Sequence, residues 1–138
     1  MRNQLTIFLI DADDDTRALL RDSLTRYGYR VSVAIDEEDA LDRVSNGLNA
    51  DLVLIDVVSS SVEDTLRLGT RIREEANLDS NTPLIVMAEK YGKDLEGTDE
   101  NVRGNDWIFY LGEEPDQLQN LLHRLTATKE TGPFLASP

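Results

Sequence analysis

The sequence predicts a three-layer α/β domain, a doubly wound, five-stranded parallel sheet in the order 2-1-3-4-5 with helices on both faces. Three observations predict it. Short apolar, β-rich runs alternate along the chain with longer stretches whose apolar residues recur at helical spacing. Three of the runs, LTIFLI, LVLI and LIVMA, are continuously apolar, as expected of parallel strands covered on both faces. A length of 138 residues allows one core and not two ordinary domains. Right-handed crossovers then wrap the helices around a single sheet.

The strands are expected at Leu5 to Ile10, Arg30 to Ala34, Leu52 to Ile55, Leu84 to Ala88 and Trp107 to Leu111. Leu20, Leu24 and Tyr27 mark the first helix, from about Asp14 to Tyr27, with acids at its start and Gly28 as its stop. Ala40, Leu41 and Val44 mark the second, behind Asp36 as N-cap and ahead of the Asn46-Gly47 turn. Leu66, Leu68 and Ile72 suggest the third. Pro115, followed by Leu118, Leu121, Leu122 and Leu125, gives the last helix its start and its apolar stripe. Between Glu89 and Gly104 the signal is weak, because Gly92 and Gly97 each disfavour a helix by ~1 kcal/mol relative to Ala. A short or mobile fourth helix is expected there. The domain should occupy residues 1–127, with 128–138 a flexible tail or linker stub.

Composition narrows the function. With 27 acidic and 14 basic residues the formal charge is −13, which opposes direct contact with a nucleic-acid backbone. The absence of cysteine excludes disulfides and thiolate chemistry, which fits the cytoplasm. The one N-terminal apolar run is too short for a membrane span, so no membrane association is expected.

Two acids stand out. The first strand ends in Asp11 and the third in Asp56, at the sheet edge where ligands bind in open parallel sheets. Asp13, Asp14 and Asp15 follow at the start of a helix, where capping accounts for them. Asp11 and Asp56 directly abut buried strands, where an unpartnered carboxylate is costly.

At these residues the sequence resembles the receiver domain of two-component response regulators, from Leu5 to Leu125. IFLIDADDDTRALL is similar to the family's first strand and acidic pair, DLVLID to the third strand ending in the phospho-accepting aspartate, and TPLIVMAE to the fourth. The spacings Asp11 to Asp56, Asp56 to Ala88 and Ala88 to Tyr110 match to within a residue or two. The resemblance implies a flavodoxin-like fold, Asp56 as the phospho-acceptor position, and magnesium held by Asp11 and Asp56. It also implies a candidate switch aromatic at Trp107.

Three positions depart from the family pattern. Ala12 stands at the second acid, Ala88 at the hydroxyl residue and Tyr110 at the lysine. Ser59 and Ser60 replace the usual turn after the acceptor. Alanine cannot ligate a hard cation, so metal binding should be weak, with Asp13 as a reserve ligand whose favoured role is capping. Charge on a transferring phosphoryl group would be poorly compensated. The losses are coherent: three carboxylates and a lysine sum to −2, as Asp11 and Asp56 do alone.

The expectation is therefore a pseudo-receiver, a protein-interaction module in signal transduction that is not an enzyme and requires no cofactor, with at most a weak Mg2+ site. Its partner would be a kinase, phosphotransfer protein or output protein. That partner would meet the face formed by the fourth helix, strand five and helix five, near Tyr91, Trp107, Tyr110, Glu113 and Glu114. The alternative is a receiver still phosphorylated on Asp56 in a phosphorelay. A remoter one follows from Asp11-Ala12-Asp13, which resembles the first motif of haloacid-dehalogenase-type phosphatases, with Asp11 as nucleophile and Asp13 as acid-base. Against it, Thr16 is one residue late for that motif and no lysine follows at a suitable strand end.

Overall fold

The computed structural model describes residues 4–56, 61–88, 92–112 and 116–131, with side chains to residue 127. In chain order the elements are β1 (Thr6–Ile10), α1 (Asp14–Arg26), β2 (Arg30–Ala34), α2 (Glu37–Ser45), β3 (Leu52–Asp56), α3 (Val62–Glu75) and β4 (Leu84–Ala88). A single 3₁₀ turn at Lys93–Leu95 leads to β5 (Asp99–Arg103), β6 (Asp106–Tyr110) and α4 (Asp116–Thr131).

Each of the first three helices begins at a side-chain cap. Asp13 accepts from the Thr16 amide at 2.9 Å, Asp36 from Asp39 at 2.8 Å and Ser61 from Asp64 at 3.1 Å. Such caps satisfy amides that the helix itself leaves open. Ser61 therefore has a structural role that its place in a serine run did not indicate. The last helix runs to Thr131, so residues 128–131 are helical where the sequence suggested the start of a flexible tail; Pro115 and residues 132–138 lie outside the described residues.

The sheet order is β2-β1-β3-β4-β6-β5. Its first five strands are parallel in the expected arrangement, β6 being the fifth parallel strand. Alternation along them fills two cores. Phe8, Ile10, Val53, Ile55, Leu84 and Val86 face α2 and α3, while Ile7, Leu9, Leu52, Leu54, Ile85, Met87 and Phe109 face α1 and α4. Both sides of β1, β3 and β4 are thus dry, which explains their continuous apolar character.

The expectation of five strands needs one correction. Where a fourth helix was expected, the chain forms β5, antiparallel to β6 at the sheet edge. The physical reason is the two-residue turn Gly104-Asn105, with Gly104 at φ +49° and Arg103 opposite Asp106. Glycine at the first turn position suits the twist of a tight hairpin. The ladder continues past the strand through Gly97 N–H to Tyr110 O at 2.7 Å and Tyr110 N–H to Thr98 O at 2.9 Å. The edge stays charged and irregular between Asn101 and Arg103, two features that discourage pairing with another sheet.

At the opposite end of β6 a buried ion pair ties the layers together. Asp106, 2% exposed, accepts from Arg73 of α3 at 2.7 Å, and the same guanidinium donates to Thr82 O at 3.1 Å. The hairpin turn, α3 and the start of β4 are held at one point. Among the described residues no helix is long and apolar enough to cross a membrane.

Candidate functional site

Strands β1 and β3 are adjacent, so Asp11 and Asp56 meet at the C-terminal edge of the sheet. Asp11 is completely buried. Its Oδ1 accepts the Asp13 amide at 2.9 Å, and among the described residues its Oδ2 meets no amide, guanidinium or hydroxyl donor. The Asp56 carboxyl lies within hydrogen-bonding reach, a bond that requires one of the two acids to carry a proton. Burial pushes the Asp11 carboxyl above its usual range, against the opposing effects of the Asp13 amide and the Asp56 hydrogen bond.

Among the described residues Arg17 is the cation that acts on Asp11. Its Nη1 donates to the backbone carbonyl of Asp11 at 2.9 Å and its Nη2 pairs with Asp14. It lowers the cost of the Asp11 charge but is committed to other acceptors. Sequence reasoning did not single it out, since an arginine in the first turns of a helix is ordinary.

The other positions diverge from the acid pair. Ala12 is exposed in the loop before α1, and Asp13 caps that helix, its carboxyl held low by the Thr16 amide. Ala88 ends β4, nearly buried. Tyr110, its neighbour on β6, donates from its hydroxyl to Glu100 Oε1 on β5 at 3.2 Å, so the tyrosine is drawn toward the hairpin. Burial, followed by the Glu100 interaction, raises the Tyr110 pKa and keeps the phenol neutral. Trp107 packs on the core shared with α1 and α4, donates to Asn105 Oδ1 at 3.0 Å and lies under Arg124 at 5.8 Å. Strand alternation places it on the opposite sheet face from Ala88. Ser59, Ser60, Tyr91, Glu113 and Glu114 lie outside the described residues.

A cleft of about 550 Å³ opens beside Asp56, lined also by Thr16, Leu19, Leu20, Ser23, Met87, Ala88 and Leu111. Its walls are mostly apolar. Among the described residues no group of three or more carboxylate, imidazole or thiol side chains is arranged to hold a metal. The donor set therefore fits a divalent ion through two carboxylates at most, the buried Asp11 oxygen being the better preorganised.

Comparison with solved structures matches this arrangement of strands and helices. A response regulator receiver protein from Sinorhizobium medicae superposes with a TM-score of 0.70 at 20% identity, covering 93% of this chain and 98% of that one. The chain has the receiver-domain fold. The Thermotoga maritima response regulator TrrA, solved in complex with Mg2+ and BeF, gives a TM-score of 0.64 at 22% identity over 88% of this chain and 99% of its own.

Two curated proteins match the chain in sequence. The chain is 30% identical over 100 residues to the uncharacterized transcriptional regulatory protein YrkP of Bacillus subtilis, covering 72% of this chain and 40% of that protein. It is 27% identical over 132 residues to the probable transcriptional regulator ycf27 of Cyanidium caldarium, covering 90% and 49% respectively. The chain thus spans half or less of the curated relatives it matches. No family model matches it.

Proposed function

We propose that this chain is a receiver-type signalling domain that works by binding other proteins, in a two-component pathway, with its phosphorylation pocket no longer competent and no turnover chemistry of its own. The observation that carries the reading is the Tyr110 to Glu100 hydrogen bond, which takes the side chain at the lysine position away from the acid pair. Among the described residues the edge carries Asp11 and Asp56, with Ala12 in solvent and an apolar Ala88. Among the described residues the cation beside the acid pair is Arg17, which is already paired with Asp14.

The partner face we propose comprises β5, β6 and α4. The expected fourth helix is replaced there by the hairpin, so the face is a strand edge and a helix, with Val102 exposed and Arg124 bridging Trp107 and Asp99 at 2.6 Å. Its occupant would be a kinase, phosphotransfer or output protein. The chain's charge of −13 argues against its own contact with a nucleic acid.

The alternative of phosphorylation on Asp56 is favoured by one feature, the access that the cleft gives to that carboxyl. A dehalogenase-type phosphatase is disfavoured because Asp13, which would be its acid-base, is committed to capping α1.

A magnesium ion, when bound, would neutralise negative charge at the edge, and Asp11 and Asp56 are the residues that would hold it. With two carboxylates the rest of its shell is water, which predicts a dissociation constant of about 1 mM or weaker. Titration of Mg2+ followed by amide NMR shifts should show weak saturation confined to the neighbourhood of Asp11 and Asp56. Micromolar affinity would show that the pocket is intact.

A further inference from the structure

We infer that the free edge of β2, with the acidic groove along α2 that begins where β2 ends, is a docking site for an extended, lysine- or arginine-rich segment of a partner protein, taken up as an added strand. This surface lies at the opposite end of the sheet from the partner face proposed above, so the inference goes beyond that reading.

The first observation is an unfinished ladder. β2 is the outermost strand on its side of the sheet. The Arg30 amide donates to Leu5 O at 2.8 Å and Ala34 O accepts from the Asp11 amide at 3.1 Å, so the even-numbered residues of the strand turn their backbone groups toward β1. Val31 and Val33 turn theirs outward, and among the described residues none of those N–H and C=O groups has a hydrogen-bond partner. The strand keeps unbroken register from Arg30 to Ala34, carries one charge and contains neither proline nor glycine. It therefore lacks the devices that usually blunt an edge, whereas β5 at the other edge is rich in charge and bulged. Of the two edges, β2 is the one open to a further strand.

The second observation selects the occupant. Ile35, 50% exposed, opens a concavity of about 1020 Å³ along α2, lined also by Leu41 and by Asp36, Glu38, Asp39 and Asp42. Asp36 caps α2, while Asp39 accepts from the Ile35 amide at 3.0 Å and pairs with Arg43. The carboxylates of Glu38 and Asp42 have no hydrogen bond or ion pair among the described residues, and they stand one turn apart on one helix face, where like charges repel. A basic side chain relieves both. A metal ion or a free amine would answer the acids and leave the backbone of Val31 and Val33 open. A nucleic acid or an anionic membrane would be repelled. A second copy would bring a further charge of −13 and, by antiparallel pairing about a two-fold axis normal to the sheet, would set α2 beside α2. A basic extended segment answers both features: its main chain bonds Val31 and Val33, and alternate lysine or arginine side chains reach the α2 acids with their stems over Ile35 and Leu41.

The test uses a short, end-capped peptide of alternating lysine and valine, titrated into the full chain beside two controls. One control has glutamate in place of lysine; the other is the lysine peptide with every backbone amide N-methylated, which keeps its charge and removes its strand donors. The lysine peptide should saturate, bind at least tenfold more tightly than either control, and slow hydrogen exchange of the Val31 and Val33 amides at least fivefold, with amide NMR shifts at Ile35, Glu38 and Asp42. The double variant Glu38→Gln, Asp42→Asn, which removes two exposed charges, should weaken it at least fivefold. Equal binding of the methylated peptide, or equal shifts at the exposed acids Asp14 and Asp15 of α1, would show general attraction of a cation to an acidic protein and overturn the inference. Unchanged exchange at Val31 and Val33, protection on β5 instead, or no saturation would also overturn it. Phosphate uptake at Asp56 tests the proposed function separately and is unaffected by any of these outcomes.

Discussion

Asp106→Ala should lower the unfolding free energy by about 3–5 kcal/mol, the usual cost of removing one partner from a buried ion pair. The carboxylate is 2% exposed and the Arg73 side chain 14%, so deletion leaves a guanidinium largely cut off from water. Arg73 keeps the Thr82 carbonyl, which satisfies one of its donors and none of its charge. Arg103, at 3.5 Å from the other carboxylate oxygen, is mostly exposed and can return to solvent. Against a typical total stability of roughly 5–15 kcal/mol, the loss would leave much of the protein close to unfolding. Asp106→Asn should cost less, since its amide oxygen still accepts from Arg73. Urea denaturation of the three proteins checks the order, and a loss under about 1 kcal/mol for alanine would show that Arg73 finds another partner.

Asp11→Asn should act in the opposite direction, raising stability by about 1–3 kcal/mol at neutral pH, the size of penalty attached to a buried polar group left unsatisfied. Burial raises the native-state pKa of Asp11 above the ordinary 3.8. The native protein therefore binds more protons than the unfolded chain in the interval between those values, and its stability falls as pH rises through that interval. Asparagine has no such titration, and its amide can donate to Asp56. The advantage of the variant should be absent below about pH 3.8, widen as pH rises and level off above the native-state pKa of Asp11. Urea midpoints across a pH series measure this directly. A difference that does not change with pH would mean that Asp11 does not titrate as described.

The sequence made most of this fold legible where one physical cause dominated. LTIFLI, LVLI and LIVMA read as doubly covered strands because nothing else requires such continuous apolarity, and the structure places their alternate residues in two separate cores. Asp11 and Asp56 were legible for a related reason, since each ends such a strand. DENVR was not legible as a strand, because it offers one apolar residue and a mostly exposed edge position has no core to betray it. The available signal was the Gly104-Asn105 turn before DWIFY, which marks a hairpin with a polar first arm. Tyr110 illustrates a different limit. Spacing located its backbone beside Ala88, but the side chain's direction depends on Glu100, contributed by a strand that was not expected. The cleft was hidden for the same kind of reason: Leu19 falls off the buried stripe of α1, and only the fold brings it to the same concavity as Leu111.

The central claim is that Asp56 is a poor phosphoryl acceptor because the groups that would stabilise the transferring charge are missing or turned away. Incubation with a small phosphodonor and magnesium, followed by intact-mass spectrometry, tests it most directly. The account predicts almost no added phosphate, with Asp56→Asn indistinguishable from the unmodified chain. A stable, magnesium-dependent adduct of one phosphoryl group that Asp56→Asn abolishes would contradict it.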